Sequence, residues 1–130
     1  MANGVRIEGV GELRTALKRA GTLALPALSA AMIEEQEKVM ASAKERTPVD
    51  FGVLRASGTV LPPKISGTGV EVVAGFGGAA SDYAVIVHED LSANHPTGQS
   101  KFLESAFLER AHEMPRALAA GVYAALKRLG

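Results

Sequence analysis

Two stretches of the chain carry apolar residues at helical spacing. Between Leu25 and Arg46, the residues Leu28, Met32, Val39 and Ala43 fall on one face, and Gln36 interrupts the stripe. Glu34, Glu35, Glu37, Lys38, Lys44 and Glu45 lie mostly elsewhere on the wheel, as expected for a helix with one solvated face. At about 1.5 Å per residue such a helix is about 30 Å long. Pro26 is tolerated near its start, where the missing N–H has no partner to lose. Lys44 and Arg46 suit the negative end of its dipole, and Pro48 disfavours helical geometry at Thr47 and ends it. The second stripe is Leu103, Phe107, Met114, Leu118, Val122 and Leu129, which predicts a helix from about Gln99 or Ser100 toward Leu129. Pro115 and Gly121 interrupt it, so a kink or two joined helices is expected.

The middle of the chain reads differently. Ser57 to Leu61 and Gly69 to Phe76 suit two strands, with Pro62-Pro63 ending the first and Ser66-Gly67-Thr68-Gly69 forming a turn. Tyr83 to Glu89 is rich in β-branched residues and predicts a third strand, with a short helix as the alternative. Asp90 to Gly98 reads as a polar loop, and Gly75, Gly77 and Gly78 as a flexible connection. At the N-terminus, Val5-Arg6-Ile7-Glu8 alternates as a short strand or extended arm, and Leu13, Leu17 and Ala20 suit a short helix ending at Gly21.

Composition narrows the function more than the fold. The chain has 130 residues, enough for one domain spanning 1–130 with a single core. Fourteen basic and fourteen acidic residues cancel, which argues against strong nonspecific DNA binding but not against lining a passage for DNA. Aromatic residues make up 5%, with no Trp, too few for a base-stacking platform. There is no Cys, so disulfides and thiolate metal sites are excluded. No apolar run of about 18 residues reads as a membrane span, and no signal-peptide pattern opens the sequence, so synthesis in the cytoplasm is expected.

Candidate chemistry is sparse. His88, Glu89, Asp90 and His95 cluster in sequence, but their spacing fits no helical zinc motif, and strand alternation sends His88 and Glu89 to opposite faces. A polar strand end followed by a loop is the plainer reading. His112, beside Glu113 in the last helix, reads as solvated. Ser57 near Arg55 and Ser81 near Asp82 lack a nucleophile-elbow context. The adjacent carboxylates Glu34-Glu35 and Glu89-Asp90 read as solvated surface. No cofactor is expected.

The most specific stretch is Thr47-Pro48-Val49-Asp50-Phe51-Gly52-Val53-Leu54-Arg55-Ala56-Ser57. Asp50 suits a turn cap, Gly52 permits backbone angles closed to other residues, and Leu54 is expected to face the core. Arg55 either pairs with a carboxylate of its own chain or contacts a neighbouring subunit. Two later segments, Tyr83-Ala84-x-x-Val87-His88-Glu89 and His95-Pro96-Thr97-Gly98-Gln99-Ser100-Lys101-Phe102-Leu103-Glu104-Ser105-Ala106, follow in order. Together these segments resemble the tail-component family of long-tailed phages, the head–tail joining, neck or tail-completion proteins, over roughly positions 30 to 110. The chain departs from that pattern at Phe51 and after Glu89, where many relatives place a small polar residue such as Thr and a Gly-Thr turn.

The resemblance implies an α+β fold: a small antiparallel sheet packed against two long α-helices, with a short N-terminal helix. It implies a structural virion protein without catalysis. Subunits form a hexameric or dodecameric homo-oligomeric ring in the phage neck, between the portal, adaptor or head-closure proteins and the tail terminator or tail tube protein. Double-stranded DNA passes through the ring without sequence-specific binding, and no membrane is involved. The interface and structural candidates are Asp50, Gly52, Arg55, Tyr83, His88, Glu89, Phe102 and Leu103. A non-virion tail assembly factor is the alternative, and a metal-dependent hydrolase using His88, Glu89 and His95 is a more distant one.

Overall fold

The computed structural model describes residues 7–48, 52–67, 69–77, 83–88, 97–98 and 101–129; for 83–88 and 97–98 it describes the backbone alone. Among these residues the fold is α+β. A short N-terminal helix, α1 (Val10–Ala20), leads through a 3-10 turn (Gly21–Leu23) into the long helix α2 (Ala24–Arg46). A one-turn helix, α3 (Gly52–Ala56), precedes strands β1 (Thr59–Val60), β2 (Lys64–Ser66), β3 (Gly69–Gly75), β4 (Tyr83–His88) and β5 (Thr97–Gly98). Helices α4 (Lys101–Ala111) and α5 (Met114–Leu129) close the chain.

The sheet is antiparallel, in the order β1-β3-β4-β5, and β2 also pairs with β3. Strands β1 and β2 lie end to end along one edge of β3, separated by Leu61, Pro62 and Pro63. The Leu61 N–H still donates to the Val73 carbonyl at 2.8 Å, so the prolines bend this edge without detaching it. Residues 64–66 form β2, and Ser66 pairs with Gly69 where the sequence predicts a turn. The predicted polar loop before the last helix likewise contains β5.

Helix α2 lies at the centre and packs against α1, α4, α5, β1 and β3. Its predicted stripe is the core: Leu28, Met32, Val39 and Ala43 are buried with Ala27, Ala31 and Met40. They meet Val70, Val72 and Ala74 of β3, Leu103 and Phe107 of α4, and Leu118 and Val122 of α5. Gln36 does not leave the stripe; it is 1% exposed within it. Glu35 is also buried, which corrects the reading of Glu34-Glu35 as solvated surface; only Glu34 is exposed.

The C-terminal helix is two helices broken at His112 and Glu113. The cause is Pro115, which lacks an N–H and whose ring would strike the carbonyl of Ala111 in a continuous helix. Pro115 instead sits in the first turn of α5, and the Glu113 carbonyl accepts from the Ala117 N–H at 2.9 Å. Gly121 does not interrupt α5. A Cβ there would lie 2.8 Å from the Ala31 Cβ, so the glycine lets α2 and α5 cross closely.

Candidate functional site

The segment that stood out in the sequence builds a small platform at the C-terminal end of α2. Thr47 leaves the helix with extended backbone angles, as a residue before proline must. Its buried hydroxyl donates to the Ala43 carbonyl at 2.9 Å. Helix α3 lays Leu54 against the core, and Ser57 fixes its far end. The Ser57 hydroxyl donates to the Leu54 carbonyl and accepts from the Gly77 N–H, both at 2.6 Å. One side chain thus ties α3 to the turn that follows β3. Gly58 completes the attachment: a Cβ there would lie within 2.8 Å of Met40, Lys44 and Phe76 atoms.

The opposite side of this platform faces outward. Val53 is 90% exposed, the highest value among the exposed large hydrophobic residues, and Gly52, Arg55 and Ala56 are exposed beside it. Arg55 makes no ion pair among the described residues, so the internal pairing foreseen as one alternative has no partner there. Gly52 has no positive φ and open space where a Cβ would stand. The backbone freedom expected to explain that glycine is therefore not used.

Strand register draws two of the three characteristic segments together and starts beside the first. Val60 pairs with Ala74, Ala74 with Tyr83, and Tyr83 with Gly98. This row crosses β1, β3, β4 and β5. It begins just after the first segment, opens the second at Tyr83 and enters the third at Gly98. The Ser57–Gly77 latch lies at the same end of the sheet. His88 pairs with Gly69 at the other end of β4, about 17 Å away for five strand steps. Phe102 is half-buried against the core and Leu103 is fully buried. Leu103 is thus core and presents no surface to a neighbour. Asp50 and Glu89 lie outside the described residues, as do Ser81, Asp82, Asp90 and His95.

Two charged networks were not foreseen. Glu35 receives Arg110 of α4 at 2.6 Å and Lys38 at 3.1 Å, with its own side chain 6% exposed. Arg46 adds an exposed link from α2 to α4, pairing with Glu109 and donating to Ser105 at 3.0 Å. The second network gathers at the α4–α5 corner. There His112 is not a bystander on a helix: its Nε2 lies 3.2 Å from Glu113 and 3.7 Å from Glu8. Arg116 donates from Nε to Glu12 at 2.8 Å and from Nη1 to Glu113 at 3.2 Å. The hydrogen bond from Arg116, and then its charge, hold the Glu12 carboxyl below its ordinary range. Sequence spacing offered no signal for this corner, because tertiary folding alone brings Glu8 and Glu12 to α5.

No protein-family model, no curated protein and no solved structure matches this chain. No helix among the described residues is long and apolar enough to cross a membrane.

Proposed function

We propose that this chain is a structural protein of the tailed-phage neck, a ring subunit that joins the portal complex to the tail tube and continues the DNA channel. The observation that carries the reading is the row Val60, Ala74, Tyr83, Gly98. It pairs the second and third of the segments that resemble head–tail connection proteins at one end of the sheet, and the first segment reaches that end through the Ser57–Gly77 hydrogen bond. Beside that end, a rigidly latched turn of helix holds Val53 and Arg55 outward. An exposed valine beside an exposed cation suits a contact between subunits. Full burial of one such side chain contributes about 1.5–3 kcal/mol, and the arginine supplies directional bonds to a carboxylate.

Ring closure uses heterologous contacts, in which α3 of one subunit meets a different surface of the next. Six or twelve copies follow from the symmetry of tail and portal. The near-zero net charge suits a conduit along which DNA slides without being gripped. The neighbours are the portal, adaptor or head-closure proteins on one side and the tail terminator or tail tube protein on the other.

Cryo-electron microscopy of particles of a phage encoding the chain tests this directly. A ring of the chain between portal and tail tube is expected, with Val53 and Arg55 at the subunit boundary. The double substitution Val53→Asp with Arg55→Glu should shift the thermal transition of the isolated subunit by no more than about 3–5 °C, as befits two exposed positions, yet yield particles without tails. Mature virions that contain no copies of the chain would overturn the reading and favour a factor that leaves during assembly.

A further inference from the structure

We infer that the α4–α5 corner is a binding site for a zinc-like divalent cation, with His112, Glu8 and Glu113 as its protein ligands. One donor atom from each of the three lies within 4.8 Å of the other two. The His112 Nε2 is 3.2 Å from Glu113 Oε2 and 3.7 Å from Glu8 Oε1. Zinc bonds to nitrogen and oxygen of about 2.0–2.1 Å place tetrahedral donors about 3.4 Å apart. The two separations from His112 bracket that value, and the third, between Glu8 and Glu113, is within 4.8 Å, which side-chain rotation shortens on binding. Water takes the fourth corner. One imidazole with two carboxylates selects a first-row ion over magnesium, which favours oxygen donors in octahedral geometry.

The ligands are held by the fold and not merely near one another. The Glu8 N–H donates to the His112 carbonyl at 3.1 Å, pinning the N-terminal segment to the corner. Gly9 follows with φ 92°, and a Cβ there would lie 2.9 Å from the Arg116 backbone nitrogen. The chain therefore presses against the start of α5, and Glu8 is delivered beside His112. Arg116 need not leave: its strongest bond is to Glu12, and it holds Glu113 through Oε1 while His112 faces Oε2. Its 3.7 Å contact to Glu8 Oε1 is the one that competes most directly among the Arg116 contacts. A bound ion would staple the N-terminal segment to the junction of α4 and α5, a structural role independent of ring formation.

Calorimetric titration of the full chain, first dialysed against chelator, with zinc chloride in excess magnesium tests the site. One zinc per chain is expected. His112→Ala and Glu8→Gln should each weaken it at least about tenfold, as loss of a ligand must exceed the effect of its outer supports. All three side chains are partly exposed, so these variants retain the fold, which circular dichroism verifies. The double substitution His88→Ala with His95→Ala should leave the affinity unchanged. Cobalt in place of zinc should give the intense visible bands of tetrahedral coordination, lost in His112→Ala. Equal zinc affinity in wild type and His112→Ala, loss of binding on removing His88 and His95, or no zinc uptake by the wild type would each overturn the assignment.

Discussion

At the scale of single residues, the polar side chains that matter are those placed where polar atoms are costly. Gln36 is 1% exposed, and neither its amide nitrogen nor its amide oxygen meets a hydrogen-bond partner among the described residues. An unsatisfied buried amide costs about 1–3 kcal/mol, while helix propensity barely separates Gln from Leu. Gln36→Leu is therefore expected to raise the unfolding free energy by about 1–2 kcal/mol in urea titration. A loss of stability would mean that the amide has a partner in solution. Ser57 is the contrary case, since its hydroxyl both donates and accepts. Ser57→Ala should cost about 1 kcal/mol, the net worth of a hydrogen bond, and lower Tm by about 3–5 °C at this chain length. An unchanged Tm would show that α3 is held by Leu54 alone.

At the scale of elements, glycines divide by what surrounds them. Gly11 lies on the exposed side of α1 with nothing within 4 Å of a would-be Cβ, whereas a Cβ on Gly121 would lie 2.8 Å from Ala31. Both sit in helices, where replacing Gly by Ala gains about 1 kcal/mol from propensity. At Gly11 that gain stands alone, reduced by its place in the first turn of α1, so Gly11→Ala should stabilise by up to about 1 kcal/mol. At Gly121 the opposing atom is a Cβ fixed to α2, so a whole helix must shift. Overpacking of about 1–3 kcal/mol then outweighs propensity, and Gly121→Ala should destabilise. Thermal unfolding of the two variants side by side decides it; shifts of the same sign would mean that the α2–α5 crossing is looser than 2.8 Å implies. Element boundaries were legible wherever a local rule governed them, as with Pro48 after α2 and Gly21 after α1. Strand β2 was hidden because three residues between a diproline and a turn carry too little periodicity, although the turn itself was readable.

At the scale of the whole molecule, the apolar stripes of α2, α4 and α5 were readable because periodicity is local. What joins the helices was not, because Glu35 looks like any surface acid until α4 brings Arg110 to it. The candidate site divides in the same way. The segment from Thr47 to Ser57 was conspicuous in sequence, but its attachment to Gly77 exists only in the folded chain, as does the pairing of Tyr83 with Gly98. Two links between α2 and α4 now allow a test of which charges hold the body together. In the Arg46–Glu109 pair the carboxylate is 66% exposed, and pairs open to solvent contribute about 0–1 kcal/mol; Arg46→Ala should fall in that range. Glu35 with Arg110 is different, because the carboxylate is 6% exposed while its partner is 36% exposed. Removing one partner of a fully buried pair costs about 3–5 kcal/mol. Here Lys38 remains 3.1 Å from Glu35 and solvent reaches Arg110, so Arg110→Ala should cost about 2 kcal/mol. Replacing both, as Glu35→Leu with Arg110→Met, removes the stranded charge and should return stability to within about 1 kcal/mol of the parent. Urea unfolding of the parent, the single variant and the double variant distinguishes the cases. If the double variant is no more stable than Arg110→Ala, the pair itself, and not the avoidance of a lone buried carboxylate, holds α4 against α2.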